Sequence, residues 1–365
     1  MNNKALDRLL QRLEKLHPKF IDLSLERLLK LLNKLKNPHL KLPQVIHIAG
    51  TNGKGSTLNF IKQILIEHNF KVHCYISPHL ESIEERFIIS NNKIRKQKLY
   101  NVLKHVESIN NKEQITFFEI TTAAAFYLFS KSQADFLILE TGLGGRLDAT
   151  NVIRDSIIDI ITPISYDHQE YLGNTLKQIT REKLGIIKKS SSIIIGKQKQ
   201  EVNNYISKKM KNHRNIKIFF GKNYKISNIK NKKFSMVLNN KKLDFRKPSL
   251  LGEHQIENAA LAIIASYEIT SNIDPEQNIV TAAAKQAPTE AAAVRAIPPP
   301  THPPEKKEKT KGKGFLSQFI GNLFGEETEE PAKTPSKRQV RQFGDGKKRN
   351  DNRKSDSNRR REKVS

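Results

Sequence analysis

The residues best placed to do chemistry form one short run, Gly50-Thr51-Asn52-Gly53-Lys54-Gly55-Ser56-Thr57, set between the apolar stretch VIHIA and the helical pattern TLNFIKQILIEH. A glycine-rich turn that leads from a strand into a helix lets backbone N–H groups close around phosphate oxygens, and the helix N-terminus adds partial positive charge. Asn52, Gly53 and Gly55 supply such a cradle, Lys54 reaches terminal phosphates, and the hydroxyl of Ser56 or Thr57 faces a metal ion. The spacing is shorter than GxxxxGK[ST], and Gly55 stands between the lysine and the serine. Gly-rich strand–helix turns also occur without any phosphate, and that is the competing reading.

Other residue types along the chain suit such a centre. Glu140 ends the apolar run FLILE just before the turn GLGG. A carboxylate at the C-terminal end of a sheet strand faces the ligand crevice of an open α/β fold, and magnesium takes one or two carboxylates plus phosphate oxygens and water. A solvated strand end is the alternative for Glu140. His168, in DHQEYLGNT, reads from its own surroundings as a hydrogen-bonded loop histidine. Lys183, in REKLGII, reads as a solvated charge on an amphipathic helix. Paired Phe117 and Phe118 either sandwich a flat heterocycle, with a nearby carboxylate accepting from ring N–H groups, or serve as ordinary core. Gly142, Gly144 and Gly145 suit a tight loop close to a ligand. Asn258, in HQIENAALA, sits in a helical pattern and reads as a cap, a surface residue or a ligand contact.

The elements that must position these residues alternate. Near-continuous Val/Ile/Leu runs at 44–50, 71–77, 135–141, 156–165 and 191–196 suit strands buried on both faces of a parallel sheet. Helical patterns near 55–68, 98–109, 119–132 and 175–188 lie between them, which predicts βαβ units and an α/β fold with a doubly wound, mostly parallel sheet. Leu9, Leu10, Leu13 and Leu16, then Leu25, Leu28, Leu29 and Leu32, recur at helical spacing, so the first 36 residues predict two helices.

The 365 residues include 64 Lys+Arg against 37 Asp+Glu, one Cys (Cys74) and no Trp. A single Cys excludes a disulfide framework and a Cys-rich zinc site. No apolar run reaches the roughly 18 residues of a transmembrane helix, and MNNKALDRLLQRLEKL lacks an apolar signal core, so a cytoplasmic location is expected. The positive charge of the first 270 residues is scattered among Asn and Ile without an aromatic stripe, which reads as solvated surface.

The longer strings resemble the folylpolyglutamate synthase/dihydrofolate synthase family of Mur-type ligases. They are LHPKFIDLSLERLLKLL, HIAGTNGKGST, YISPHL, TFFEITTAAAF, LETGLGGRLDATNV, DHQEYLGNT, REKLGII and LLGEHQIENAALA, in the family's order across about 1–270. The resemblance implies an ATP-binding domain with a P-loop over 1–270, and ATP and Mg²⁺ as cofactors. It implies ATP-dependent ligation of L-glutamate to dihydropteroate or folate through an acyl phosphate, by a monomer. It assigns nucleotide contacts to Asn52, Gly53, Lys54, Gly55, Ser56, Thr57 and Asn258, and Mg²⁺ ligation to Ser77, Glu140 and His168. Pterin contacts fall on Phe20, Ile21, Asp22 and Leu23, on Thr116, Phe117, Phe118 and Glu119, and on Leu147, Asp148 and Ala149. Lys54, His168 and Lys183 carry the catalytic roles, Lys183 as a carbamylated lysine. The family continues into a second α/β domain with a PGRF-like Arg and a DGAHNP-like Asp/His pair; neither segment occurs here, so weak or absent ligase activity is expected.

After about 271 the composition changes abruptly. An Ala/Pro-rich linker (271–313), an amphipathic helix (314–325, GFLSQFIGNLFG) and a basic disordered tail (326–365) are expected. Residues 331–365 hold 13 Lys+Arg against 4 Asp+Glu. Over about 310–365 this arrangement resembles the non-catalytic tail of ribonuclease E, which implies contact with RNA or an anionic membrane. The alternative function is a non-enzymatic nucleotide-binding body tethered by that tail.

Overall fold

The computed structural model describes residues 3–271 apart from 20, 231, 232 and 251. The chain divides into two compact units, 1–297 and 298–365, and every described residue belongs to the first. The expected linker beyond 271, amphipathic helix and basic tail, and the candidate Phe20, lie outside the described residues.

The chain opens with α1 (Asn3–Glu14) and α2 (Glu26–Lys34), the two helices expected from the leucine spacing. Strand β1 (Gln44–Ala49) then leads through the glycine run into α3 (Lys54–Glu67) and β2 (Val72–Tyr75). Two short strands, β3 (Phe87–Ile89) and β4 (Asn92–Lys93), precede α4 (Lys96–Asn110), α5 (Phe117–Phe129) and β5 (Phe136–Glu140). Strand β6 (Ile158–Ile161), helices α6 (Gln169–Leu172) and α7 (Leu176–Lys183), β7 (Ser192–Ile195), α8 (Gln200–Met210) and β8 (Lys217–Phe219) follow. Strands β9 (Tyr224–Lys230), β10 (Lys233–Leu238) and β11 (Lys241–Arg246) lead to α9 (Glu253–Ser271).

The large sheet has the order β4-β3-β2-β5-β1-β6-β7-β8. Strands β2, β5, β1, β6, β7 and β8 run parallel, and β3 and β4 form an antiparallel edge. All five apolar runs singled out above are parallel strands of this sheet, and the mostly parallel α/β class is as expected. The sequence reading missed β3, β4, β8, α6, α8 and the antiparallel sheet β11-β10-β9.

The two sheet faces carry separate cores because a strand sends alternate side chains to opposite sides. On one face Val45, Tyr75, Leu137 and Leu139 pack under α1, α2, α4 and α5, while Ala49, Ile161, Ile193 and Ile195 pack under α7 and α8. On the other, Ile46, Ile48, Ile138 and Ile160 meet α3 and α9, joined by Phe234, Met236 and Phe245 of the small sheet. Strand β1 is central, with β5 on one side and β6 on the other. The carboxyl ends of β2, β5, β1 and β6 therefore open together, the position where an open α/β sheet binds ligand. No helix among the described residues is long and apolar enough to cross a membrane.

Candidate active site

The glycine run leaves β1 and is pressed onto the end of β6. A Cβ at Gly50 would lie 1.9 Å from Thr162 Oγ1, so no side chain fits there. The amides of Thr51 and Asn52 donate to the Pro163 carbonyl at 3.0 and 3.2 Å, and the Ser165 amide donates to Thr51 Oγ1 at 3.2 Å. Gly53 caps α3 with φ +85°, a left-handed conformation that suits glycine. A Cβ there would lie 2.2 Å from Asn258 Oδ1. The structure thus sets α9 against the loop and places Asn258 beside Gly53, buried and donating to Gln255 Oε1 at 3.1 Å.

Lys54 opens α3 and donates from Nζ to the Thr51 carbonyl at 3.2 Å. Ser56 stays partly exposed, whereas Thr57 is fully buried with an unpartnered Oγ1. Of the two hydroxyls, Ser56 is therefore the one on the open side.

Glu140, the last residue of β5, is buried beneath α3; a Cβ at Gly55 would lie 3.6 Å from its Oε2. Burial pushes its carboxyl up to about 7, against the pull of Lys54, the Ser77 amide and Arg86. The Ser77 amide, just past β2, donates to Glu140 Oε2 at 3.2 Å. Ser77 Oγ is buried without a hydrogen-bond partner. A carboxylate and an orphaned hydroxyl side by side form an all-oxygen donor pair, the ligand type of a hard divalent cation. His168 lies past β6 at the start of α6, at φ +43°. Its Nε2 is 3.3 Å from Asp167 Oδ1, and burial together with Lys183 and Lys54 lowers its pKa. No group of three His, Cys, Asp or Glu side chains among the described residues is arranged to hold a metal ion.

Lys183 is buried, not solvated. Its Nζ donates to the Gly50 carbonyl at 2.9 Å and to Asp167 Oδ2 at 3.2 Å. Burial, then repulsion from Lys54, brings its pKa down to about 8.

The remaining candidates gather next to this centre. Thr116 caps α5 in a reciprocal box: its Oγ1 accepts from the Glu119 amide at 3.3 Å, and its own amide donates to Glu119 Oε2 at 2.7 Å. Arg27 of α2 donates to Glu119 Oε2 at 3.2 Å and to Asp22 Oδ2 at 3.3 Å, which joins the 21–23 and 116–119 segments. Ile21 and Leu23 are half-buried, Leu23 against the core under α7. The two phenylalanines part company: Phe117 belongs to the core, while Phe118 is half-buried, lies 6.0 Å from Tyr75 in a stack, and covers Gly142. Asp148 accepts from the Leu143 amide at 2.7 Å and the Thr150 amide at 2.9 Å, with Leu147 and Ala149 on either side.

Sequence reasoning missed Arg27 and Arg86. Arg86 is buried, donates to His79 Nδ1 at 2.8 Å, lies 5.9 Å from the Phe117 ring, and feels the charge of Glu140. Arg27 sits in the helical string ERLLK and Arg86 in EERF, and neither string marks its arginine as buried. The signal for Arg86 was its place directly before the apolar strand start FII.

The profile of the Mur ligase middle domain matches residues 48–266. Dihydrofolate synthase/folylpolyglutamate synthase of Haemophilus influenzae is 41% identical over 187 residues, 51% of this chain and 42% of that protein. The Bacillus subtilis protein of the same name is 35% identical over 256 residues, 66% of this chain and 58% of its own. The chain thus spans about half the length of these relatives. Among solved structures, E. coli FolC in complex with DHPP and ADP matches with a TM-score of 0.67 at 30% identity, over 77% of this chain and 66% of that one. An FPGS-AMPPCP-folate complex matches with a TM-score of 0.67 at 27% identity, over 78% of this chain and 72% of that one. The matched span holds the 50–57 loop, α3, most of the sheet behind them and the part of α9 that sets Asn258 against Gly53, and the chain belongs to the Mur ligase family through its middle domain.

Proposed function

We propose that this chain binds ATP with Mg²⁺ at the 50–57 loop and serves ATP-dependent ligation of L-glutamate to dihydropteroate or a folate. The observation that carries the reading is the meeting of Lys54, the buried Glu140 and the orphaned Ser77 hydroxyl at the carboxyl ends of adjacent strands. A carboxylate is a poor acyl donor because oxide is a bad leaving group. Phosphorylation by the γ-phosphate gives an acyl phosphate; the glutamate amine attacks its carbonyl, forms the amide and expels phosphate.

Ser77 and Glu140 would hold Mg²⁺, with His168 joining on the family resemblance; when bound, the ion neutralises phosphate charge. Loop amides and Lys54 Nζ hold the phosphates and offset charge as the γ-group departs. Asn258, beside Gly53, faces the nucleotide. The neutral amine that a pKa of about 8 makes accessible to Lys183 is the form that adds to carbon dioxide, which supports the carbamate reading. The 21–23, 116–119 and 147–149 segments take the pterin, with Phe118 as the accessible aromatic face. The body acts as a monomer in the cytoplasm, and contact of 314–365 with RNA or anionic membrane is a separate proposal, supported by local charge alone.

The test is calorimetry with Mg-ATP, followed by glutamate-dependent phosphate release with dihydropteroate or folate as acceptor. Heat on Mg-ATP addition that Lys54→Ala removes supports the nucleotide site. Glutamate-dependent phosphate release supports the ligation, and silence to Mg-ATP from folded protein would refute the whole.

A further inference from the structure

His47 sits in the middle of β1, fully buried between Ile46 and Ile48. A strand covered on both faces calls for Val or Ile at such a position. The imidazole carries a cost there, because its Nδ1 is buried with no hydrogen-bond partner. What it supplies lies at the other nitrogen. Nε2 is 2.8 Å from Thr150 Oγ1. Thr150 has one hydroxyl proton, and it goes to Asp148 Oδ1 at 2.5 Å. Thr150 Oγ1 must then accept, so His47 is the Nε2–H tautomer and donates. Burial, reinforced by Lys188, brings the ring's pKa down to about 3 and keeps it neutral. The hydrogen bonds thus run one way, from His47 through Thr150 to Asp148.

Asp148 is the organiser of the turn after β5. It accepts from the amides of Leu143 and Thr150 as well as from the Thr150 hydroxyl. Phe118 lies against the same turn, since a Cβ at Gly142 would come 2.5 Å from its Cζ. Three residues past His47 the chain enters the phosphate loop at Gly50.

We propose that His47 is a positioning residue, which through Thr150 and Asp148 locks the 142–148 turn in the shape that receives the pterin end of the acceptor. It ties the strand bearing the nucleotide loop to the acceptor side of the site. The proposal rests on the reading of 147–149 as a pterin contact. The relay explains why an imidazole with one idle nitrogen occupies a core position: a Val or Ile there would leave Thr150 Oγ1 without a donor.

The experiment titrates the full chain with folic acid in the presence of Mg-AMPPCP, and separately with Mg-AMPPCP alone. His47→Leu and Thr150→Val are expected to weaken folic acid binding about tenfold or more, the loss typical of an outer-layer positioning group. His47→Gln and Thr150→Ser keep a donor or a hydroxyl in place and are expected to stay within about threefold of wild type. AMPPCP affinity is expected to hold within about twofold in all four. That selectivity, and the recovery by the conservative pair, are what a purely structural role would not produce. Thr150→Val preserves side-chain volume and decides the matter if His47→Leu does not fold. Equal folic acid affinity for wild type and Thr150→Val overturns the relay and leaves the site reading intact. Parallel loss of AMPPCP affinity also overturns it, as a general packing defect. Failure of wild type to bind folic acid or dihydropteroate overturns the acceptor-site reading, and the relay with it.

Discussion

Gly53 and Asn258 are far apart in sequence and meet at the same point. Gly53 carries φ +85°, and any side chain there would enter the space of the Asn258 amide. Gly53→Ala is therefore expected to lower Mg-ATP affinity by about tenfold or more, through backbone strain of order 1–3 kcal/mol and displacement of Asn258, as read by calorimetry. His47 gives a second prediction, in stability. With the folded pKa near 3 and an ordinary value of 6.5, the unfolded chain takes up a proton below pH 6.5 that the native chain refuses. Stability is whole above pH 6.5 and falls as pH drops from 6.5 toward 3. At pH 4.5 this group alone removes on the order of 3 kcal/mol. Urea unfolding of wild type and His47→Gln from pH 7 to 4.5 should show the acid limb flatten by about that amount in the variant, and parallel curves would reject the assignment. Residue type alone singled out Lys54 and Glu140, and the structure brings the two within each other's electrostatic reach at the strand ends. It did not separate Phe117 from Phe118, nor place Lys183 indoors, because burial depends on what packs opposite.

Helix α5 shows how an element carries several site residues at once. Its first turn is fixed by the Thr116–Glu119 box, and the same Glu119 is gripped by Arg27 of α2. Thr116→Ala is expected to cost about 1 kcal/mol in urea unfolding, the usual loss of a cap. It should also loosen Phe118, two residues on, which tyrosine and ligand fluorescence would report. In α1, Leu6, Leu9 and Leu13 line the face that meets the core, and Leu9 is fully buried. Leu9→Ala is expected to lower stability by about 2–5 kcal/mol, measured by the urea midpoint at constant slope. The parallel strands and the main helices were legible because each is a long apolar run or a clean helical period. The hairpin β10–β11 was not, because Lys and Asn dilute its alternation. Its signal was Asn239-Asn240, both at positive φ, a two-residue turn of the kind that closes hairpins.

At the scale of the whole molecule, the 50–57 loop, α9 and the sheet ends all lie within the first compact unit, 1–297. A chain ending at 297 is expected to keep Mg-ATP affinity within about twofold of the full chain, since the candidate site residues all belong to the first unit. A large loss in calorimetry would show that 298–365 contribute to the site. The sequence by itself determined the parallel α/β class, the glycine turn between a strand and a helix, and the order of the candidate site segments along the chain. Those features are local: periodicity, a glycine turn, a carboxylate at a strand end. Tertiary structure decided which side chains are dry and which meet: Lys183 on the Gly50 carbonyl, Asn258 against Gly53, Arg27 between Asp22 and Glu119, and His47 behind Asp148. The physical reason is that a charge or hydrogen bond takes its value from the medium and partner around it, and here both are supplied by strands far apart in sequence.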